Sequence, residues 1–144
     1  MNRIALRIGR AFTAAATALI IVGYSGTAGA ADIKVTLSGD QEVPPVKSSG
    51  SGTGTITVND DKTVIGSVTT TGVTGTMAHI HNGAPGKNGP AVIPLTKGSD
   101  GTWSVPAGAK LTDAQYAAFK DGDLYVNVHS AQHQGGEVRG QLKP

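Results

Sequence analysis

The sequence predicts an all-β domain, a sandwich or barrel of about eight short strands with one short helix. Three observations carry this prediction. Runs of roughly four to eight residues alternate apolar and polar side chains, as half-buried strands do. Gly, Pro, Asn and Asp separate these runs and favour turns, and 21 of the 144 residues are glycine. One stretch alone carries the start and stop signals of a helix.

The predicted strands are rich in Val, Ile and Thr, which suit a pleated, half-buried surface. The polar turn "NDDK" at 59–62 joins the second run to the third, and this predicts a hairpin. The predicted strands are 33–37, 53–59, 63–70, 76–81, 91–95, 101–105, 123–129 and 136–142.

The predicted helix lies in "LTDAQYAAFKDG", residues 111–122. Thr112 is a suitable N-cap, and Gln115 three residues later completes a capping box. Gly122 is a suitable terminator. Residues 40–52 contain two adjacent prolines, which cannot donate to a strand ladder, and we expect a loop that covers a sheet edge.

Residues 1–30 have the pattern of an export signal peptide. Three arginines lie in residues 3–10, an apolar stretch follows at 11–22, and Ala28-Gly29-Ala30 has the A-x-A form of a cleavage site. The apolar stretch is too short to cross a bilayer, which disfavours a membrane anchor. We expect cleavage after Ala30 or Ala31, which leaves residues 31–144 in the periplasm or secreted, without a membrane span.

Loss of the signal peptide changes the charge of the protein. Of 12 basic residues, three lie in the signal peptide, so 9 remain against 10 acidic residues. The mature domain is nearly neutral, which excludes the basic footprint of a nucleic-acid-binding protein. Because the chain has no cysteine, its stability must come from core packing, sheet hydrogen bonds or a bound metal.

The four histidines fall in two segments of the chain. His79 and His81 are two residues apart on a predicted strand and therefore share a face, while Ile80 faces the core. His129 also points away from the aliphatic face of its strand. If the two strands are neighbours, the three rings converge on the outer face of the sheet, and His133 lies close in sequence.

Three imidazoles without a thiolate favour copper, with zinc as the alternative. Met77, two residues before His79, offers a soft thioether that suits Cu(I), and Glu137 offers an oxygen ligand. Other interpretations stay open at this point. The histidines can simply hydrogen-bond to neighbours, Met77 can pack under a loop, and Glu137 can pair with Arg139.

Two other chemistries lack their sequence signals. There is no G-x-S-x-G element of a serine hydrolase. The glycine-rich segments 50–55 and 83–89 match no phosphate-binding pattern, and no helix is predicted after either of them.

Four separated segments resemble the CHRD domain family, which is common in exported bacterial proteins. They are "LSGDQEVPPV" (37–46), "AHIHNGAPGKNGPAVIPL" (78–95), "LTDAQYAAFKDGDLYVNVHS" (111–130) and "GGEVRGQL" (135–142). The resemblance implies a Greek-key, immunoglobulin-like β-sandwich, an extracytoplasmic location and no assigned enzyme activity.

The histidine pattern also resembles, more weakly, the copper site of copper/zinc superoxide dismutases, in which His79, His81 and His129 look like the copper ligands. The histidine-rich zinc loop, the disulfide and an arginine beside the copper have no counterpart in the sequence. This resemblance implies a mononuclear copper site without efficient dismutation.

We therefore predict an exported copper-binding protein that buffers or transfers copper, with His79, His81, His129, His133 and Met77 as candidate ligands. Its partners would be the metal ion and either a protein that exchanges the metal or a second copy of the chain. A metal-free protein- or glycan-binding module that uses the loop 81–90 is the alternative. A copper redox enzyme of the dismutase type is the third possibility.

Overall fold

The computed structural model describes residues 29–144, so the predicted signal peptide lies almost entirely outside the described residues. The described chain forms nine strands, one α-helix and one short 3₁₀ turn. The strands are β1 (Ala31–Ser38), β2 (Ser51–Val58), β3 (Val64–Thr71), β4 (Gly75–Asn82), β5 (Ala91–Pro94), β6 (Thr96–Lys97), β7 (Thr102–Ser104), β8 (Leu124–Ser130) and β9 (Val138–Leu142), with the helix α1 (Asp113–Lys120) and the 3₁₀ turn Gly39–Gln41.

The predicted all-β class with one short helix is confirmed, and all eight predicted strands are present. The predicted hairpin is the antiparallel pair β2–β3, which runs from Ser51↔Thr71 to Val58↔Val64. The additional strand, β6, has two residues, and such a short run carries no measurable alternation.

All nine strands belong to one antiparallel sheet in the order β5-β4-β8-β9-β1-β2-β3-β7-β6. The two edge strands are consecutive in the chain and only Leu95 separates them. Near this junction Leu95 N donates to Ala78 O of β4 at 2.9 Å, and Lys97 Nζ donates to Gly75 O at 2.7 Å. The sheet therefore curves until its two ends meet, and it is nearly closed.

The curved sheet encloses one hydrophobic core. Alternate residues of the long strands point into it, for example Ile33, Val35 and Leu37 of β1. Trp103 fills the largest share of this core and is 2% exposed. Burial of such aliphatic and aromatic surface, at roughly 25 cal/mol per Å², is the main source of stability in a chain without disulfides.

The helix α1 begins as the sequence predicts. Thr112 accepts a hydrogen bond from Gln115 N, and the Gln115 side chain accepts one from Thr112 N, which completes the capping box. Phe119 packs in the core. The chain leaves the helix through Gly122, whose φ of +79° strains any residue with a Cβ.

Within residues 29–144, no helix combines the length and the apolar character that a bilayer crossing requires.

The outer face of β4, β8 and β9 is covered as well, and this gives the molecule a second, polar layer. All seven residues of β8 are buried, although only alternate ones face the core. Three loops lie over this face: residues 39–46, 83–90 and 131–136. Asn88 Nδ2 donates to Val43 O, which ties the first two loops together.

Candidate metal centre

Pairing of β4 with β8 brings the predicted histidines together. His79 lies opposite Asn127, His81 lies opposite Tyr125, and Met77 lies opposite His129. Asn127, the partner of His79, and His129 are two residues apart on β8, so their side chains lie on the same face of the sheet. The expectation that the two strands are neighbours is confirmed.

The three imidazoles converge on a single point. His79 Nδ1 and His129 Nε2 are 3.1 Å apart. One nitrogen from each of His79, His81 and His129 lies within 4.8 Å of the other two. The ring centroids are 5.1–6.0 Å apart, and the rings are inclined to one another rather than stacked.

Main-chain carbonyls fix the tautomers of two of these rings. His81 Nδ1 lies 2.9 Å from Gly89 O, and His129 Nδ1 lies 2.8 Å from Gln134 O. A carbonyl oxygen only accepts, so each Nδ1 carries the proton and each Nε2 carries a lone pair. Metal-binding histidines are commonly oriented by this kind of hydrogen bond. Among the described residues, His81 Nε2 is buried and has no hydrogen-bond partner.

Burial keeps the three rings neutral. Desolvation lowers the pKa of His79, and the neighbouring His129 and His81 lower it further. Desolvation also lowers the pKa of His81 and of His129, against the carbonyl hydrogen bonds, which raise it. Neutral imidazole is the form that binds a metal ion, so the cluster is ready to coordinate without first losing protons.

A stack of planar groups lies beside the cluster. The His81 ring is parallel to the Tyr125 ring, with centroids 4.8 Å apart. The Arg139 guanidinium carbon lies 3.5 Å from the centroid of the Tyr125 ring. Because β8 lies between β4 and β9, Tyr125 separates His81 from Arg139. Arg139 is 1% exposed and donates to Ala84 O, so it also holds the loop 83–90 over the site.

Of the other candidate ligands, His133 and Glu137 lie outside the group of three nitrogens. Met77 is on the face of the histidines and is half exposed, so it does not pack under a loop. The structure does not bring His133 into the group; its side chain lines a separate pocket with Glu42 and Asn88. Glu137 is 8% exposed and accepts a hydrogen bond from Ser48 Oγ at 2.7 Å. Among the described residues, Glu137 and Arg139 form no salt bridge, so the interpretation of these two residues as an ion pair is wrong.

Sequence reasoning missed Glu42 altogether. This loop residue is 4% exposed, and desolvation raises its pKa to about 7 although the Arg139 charge works against this shift. Among the described residues, Glu42 Oε1 has no hydrogen-bond partner. The carboxyl lies against Gly136, where a Cβ would come within 2.4 Å of Oε1. The stretch "EVPPV" contains no periodicity from which this burial could have been read.

Fold and site together define a small all-β module with a cluster of three imidazoles on the outer face of its sheet. The family model of the CHRD domain matches residues 33–142, and the chain belongs to the CHRD domain family. CHRD domains are found in extracellular proteins, so the chain carries an extracellular module. No curated protein and no solved structure matches the chain significantly.

Proposed function

We propose that this domain binds one copper ion outside the cytoplasm, through His79 Nδ1, His81 Nε2 and His129 Nε2. The observation that carries the proposal is the convergence of three nitrogens within 4.8 Å of one another. In His81 and His129, Nδ1–H donates a hydrogen bond to a main-chain oxygen, and this leaves Nε2 free to bind the ion.

The spacing suits an ion of this size. Two nitrogens that bind one ion at roughly 2.0–2.1 Å stand about 2.9 Å apart at a right angle and about 4.1 Å apart in line. The 3.1 Å between His79 Nδ1 and His129 Nε2 falls within this span. The His81 nitrogen lies within 4.8 Å of the other two, so the three nitrogens would draw slightly closer together around a bound ion. In the metal-free protein, His79 Nδ1–H donates a hydrogen bond to His129 Nε2. For His79 Nδ1 to bind the ion, this proton moves through solvent to His79 Nε2, so the ring stays neutral and the Nδ1 lone pair becomes free.

Copper is favoured over zinc by affinity and by the ligand type. Nitrogen donors bind Cu²⁺ more tightly than the other divalent ions of the first transition row. The chain has no cysteine with which to build a thiolate zinc site. The role we propose is buffering or transfer of copper in the periplasm or in the secreted state, with a protein partner that exchanges the ion. Zinc remains the alternative ion to test.

The test is a titration of untagged protein with Cu(II), followed by calorimetry and electron paramagnetic resonance. We expect one equivalent to bind with nitrogen hyperfine structure. His79→Ala or His129→Ala should weaken binding by more than about 100-fold, since changes in the outer shell alone cost 10–100-fold. His133→Ala is the matched control and should leave the affinity unchanged. Equal affinity in all four proteins would overturn the proposal.

A metal-free binding module is the second candidate, and one cavity favours it. A pocket of about 410 Å³ lies between the loops 39–46 and 83–90, with buried Glu42 and Arg139 among its lining residues. Its volume is within the range of small-ligand sites, roughly 300–1,000 Å³. This function predicts no bound copper, and a protein or glycan partner whose binding is lost in Arg139→Ala but kept in His79→Ala.

A further inference from the structure

Met77 lies beside the histidine cluster and lines a cavity together with one of its members, His129. It is opposite His129 in the β4–β8 pairing and two residues before His79, on the same face. Directly opposed strand residues have Cβ atoms about 4.5–5.5 Å apart, which is within reach of a methionine side chain. A pocket of about 490 Å³ is lined by Thr76, Met77, His129, Ser130, Ala131 and Gln134.

The side chain of Met77 is free to move. It is 50% exposed, and Ile65 at 54% is the other large apolar side chain exposed on the described part of the chain. Exposed side chains exchange rotamers within picoseconds to nanoseconds. The sulfur can therefore swing toward the His79–His129 pair without any change in the backbone.

Along β4 the order of the potential ligands is Met77, His79, His81. His79 and His129 thus have a soft thioether on one side and a third imidazole on the other. Thioether sulfur favours Cu(I), whereas imidazole suits Cu(II) as well. The two neighbours of the central pair therefore differ in the oxidation state that they prefer.

We propose that Met77 is a ligand specific to Cu(I), which it binds together with His79 and His129, while Cu(II) takes the three imidazoles. This inference rests on the proposed copper site and adds a second ligand set to it. The site then accepts copper in either oxidation state, and the exposed thioether presents Cu(I) at the mouth of the pocket, where a sulfur-bearing partner can receive it.

Two measurements test this inference. In protein labelled with [¹³C-methyl]methionine, Met1 and Met77 are the two methionines of the chain, and a Met77→Leu spectrum assigns the resonances. One equivalent of Ag(I), a redox-inert stand-in for Cu(I), should shift the Met77 methyl resonance. Anaerobic competition should show that Met77→Leu loses about tenfold or more in Cu(I) affinity, with the Cu(II) affinity and paramagnetic spectrum unchanged.

An internal control is available on β3, which is not adjacent to β4 in the sheet. Ile65→Met places an equally exposed thioether there, and its methyl resonance should not move with Ag(I). If Cu(II) binds normally while Met77→Leu keeps its Cu(I) affinity, or if both methyl groups shift alike, the inference about Met77 is overturned and the histidine site stands. If neither ion binds the native protein, the proposed function fails as well.

Discussion

His81 and His129 each donate Nδ1–H to a main-chain oxygen, and these two hydrogen bonds come from loops rather than from the strands. Gly89 follows β4 by seven positions and Gln134 follows β8 by four, so each histidine is held by the loop that its own strand leads into. The orientation of each ring is therefore fixed by the loop that follows its own strand, and the distance between the rings is fixed by the pairing of β4 with β8.

At the residue scale, the ionisation of the buried Glu42 carboxyl affects the stability of the fold. Burial raises the pKa of this carboxyl from 4.5 to about 7, so in the folded state it is mostly protonated below that pH. Between pH 4.5 and about 7 the folded state binds more protons at Glu42 than the unfolded state does. The contribution of Glu42 to the free energy of unfolding is therefore fully present below pH 4.5 and is lost as the pH rises through about 7.

We expect Glu42→Gln, which mimics the protonated carboxyl, to gain stability relative to the native protein between about pH 5 and about pH 8, by up to about 3 kcal/mol. Urea unfolding followed by Trp103 fluorescence measures it. The lowered pKa values of the three histidines make stability rise with pH, which is the opposite trend. Both proteins contain these histidines, so their contribution cancels in the difference between the two stabilities. A difference between the two proteins that does not vary with pH would contradict this prediction.

At the scale of the elements, the capping box of α1 provides a direct test. We expect Thr112→Ala to lower the free energy of unfolding by about 1 kcal/mol, because Gln115 N then loses its acceptor at the exposed helix start. Thr112→Ser keeps the hydroxyl and is the control. Denaturant titration of both variants measures the loss, and an equal loss in both would show that the cap is not its cause.

The elements also show how far the sequence leads. Alternation alone was enough to place Val126 and Val128 in the core and His129 on the other face, because the period of a strand is fixed. It could not show that the other face is buried too. Tyr125 and Arg139 alternate like surface residues, yet loops far away in sequence cover them.

The candidate site was predictable to the same extent. His-x-His on β4 and a third imidazole on β8 follow from periodicity, once the two strands are taken as neighbours. His133 is close to His129 in sequence, but it lies beyond the end of β8, and the turn carries its side chain elsewhere. The carbonyl partners Gly89 and Gln134 offer no side-chain signal, so sequence reasoning had nothing from which to find them.

At the scale of the whole molecule, copper should stabilise the fold, because the ion joins β4 to β8. With free copper at about 1,000 times Kd, the free energy of unfolding should rise by about 4 kcal/mol. Thermal unfolding without Cu(II) and with Cu(II) in excess, at a free concentration of about 1,000 times Kd, measures this, and a chelator should reverse it. His79→Ala should lose the effect and His133→Ala should keep it; a copper-induced rise in His79→Ala would contradict the prediction.

Export is testable on the intact protein. The sequence predicts cleavage after Ala30, and β1 begins at the next residue, Ala31, which pairs with Val58. Mass spectrometry of protein recovered outside the cytoplasm should give a chain that starts at Ala31, or at Asp32 if cleavage falls after Ala31. Ala30→Gln should block processing at that bond, because the site needs a small residue. Recovery of the full-length chain from wild-type cells would contradict this expectation.

The short edges of the sheet have a consequence for the protein in a crowded compartment. An exposed strand edge presents unpaired main-chain groups that template the addition of strands from other molecules. Here the two edges have four and two residues, and the chain turns directly from one into the other at Leu95. Little main chain is left on which a fibril could nucleate, so the folded domain offers few sites for aggregation through its strand edges.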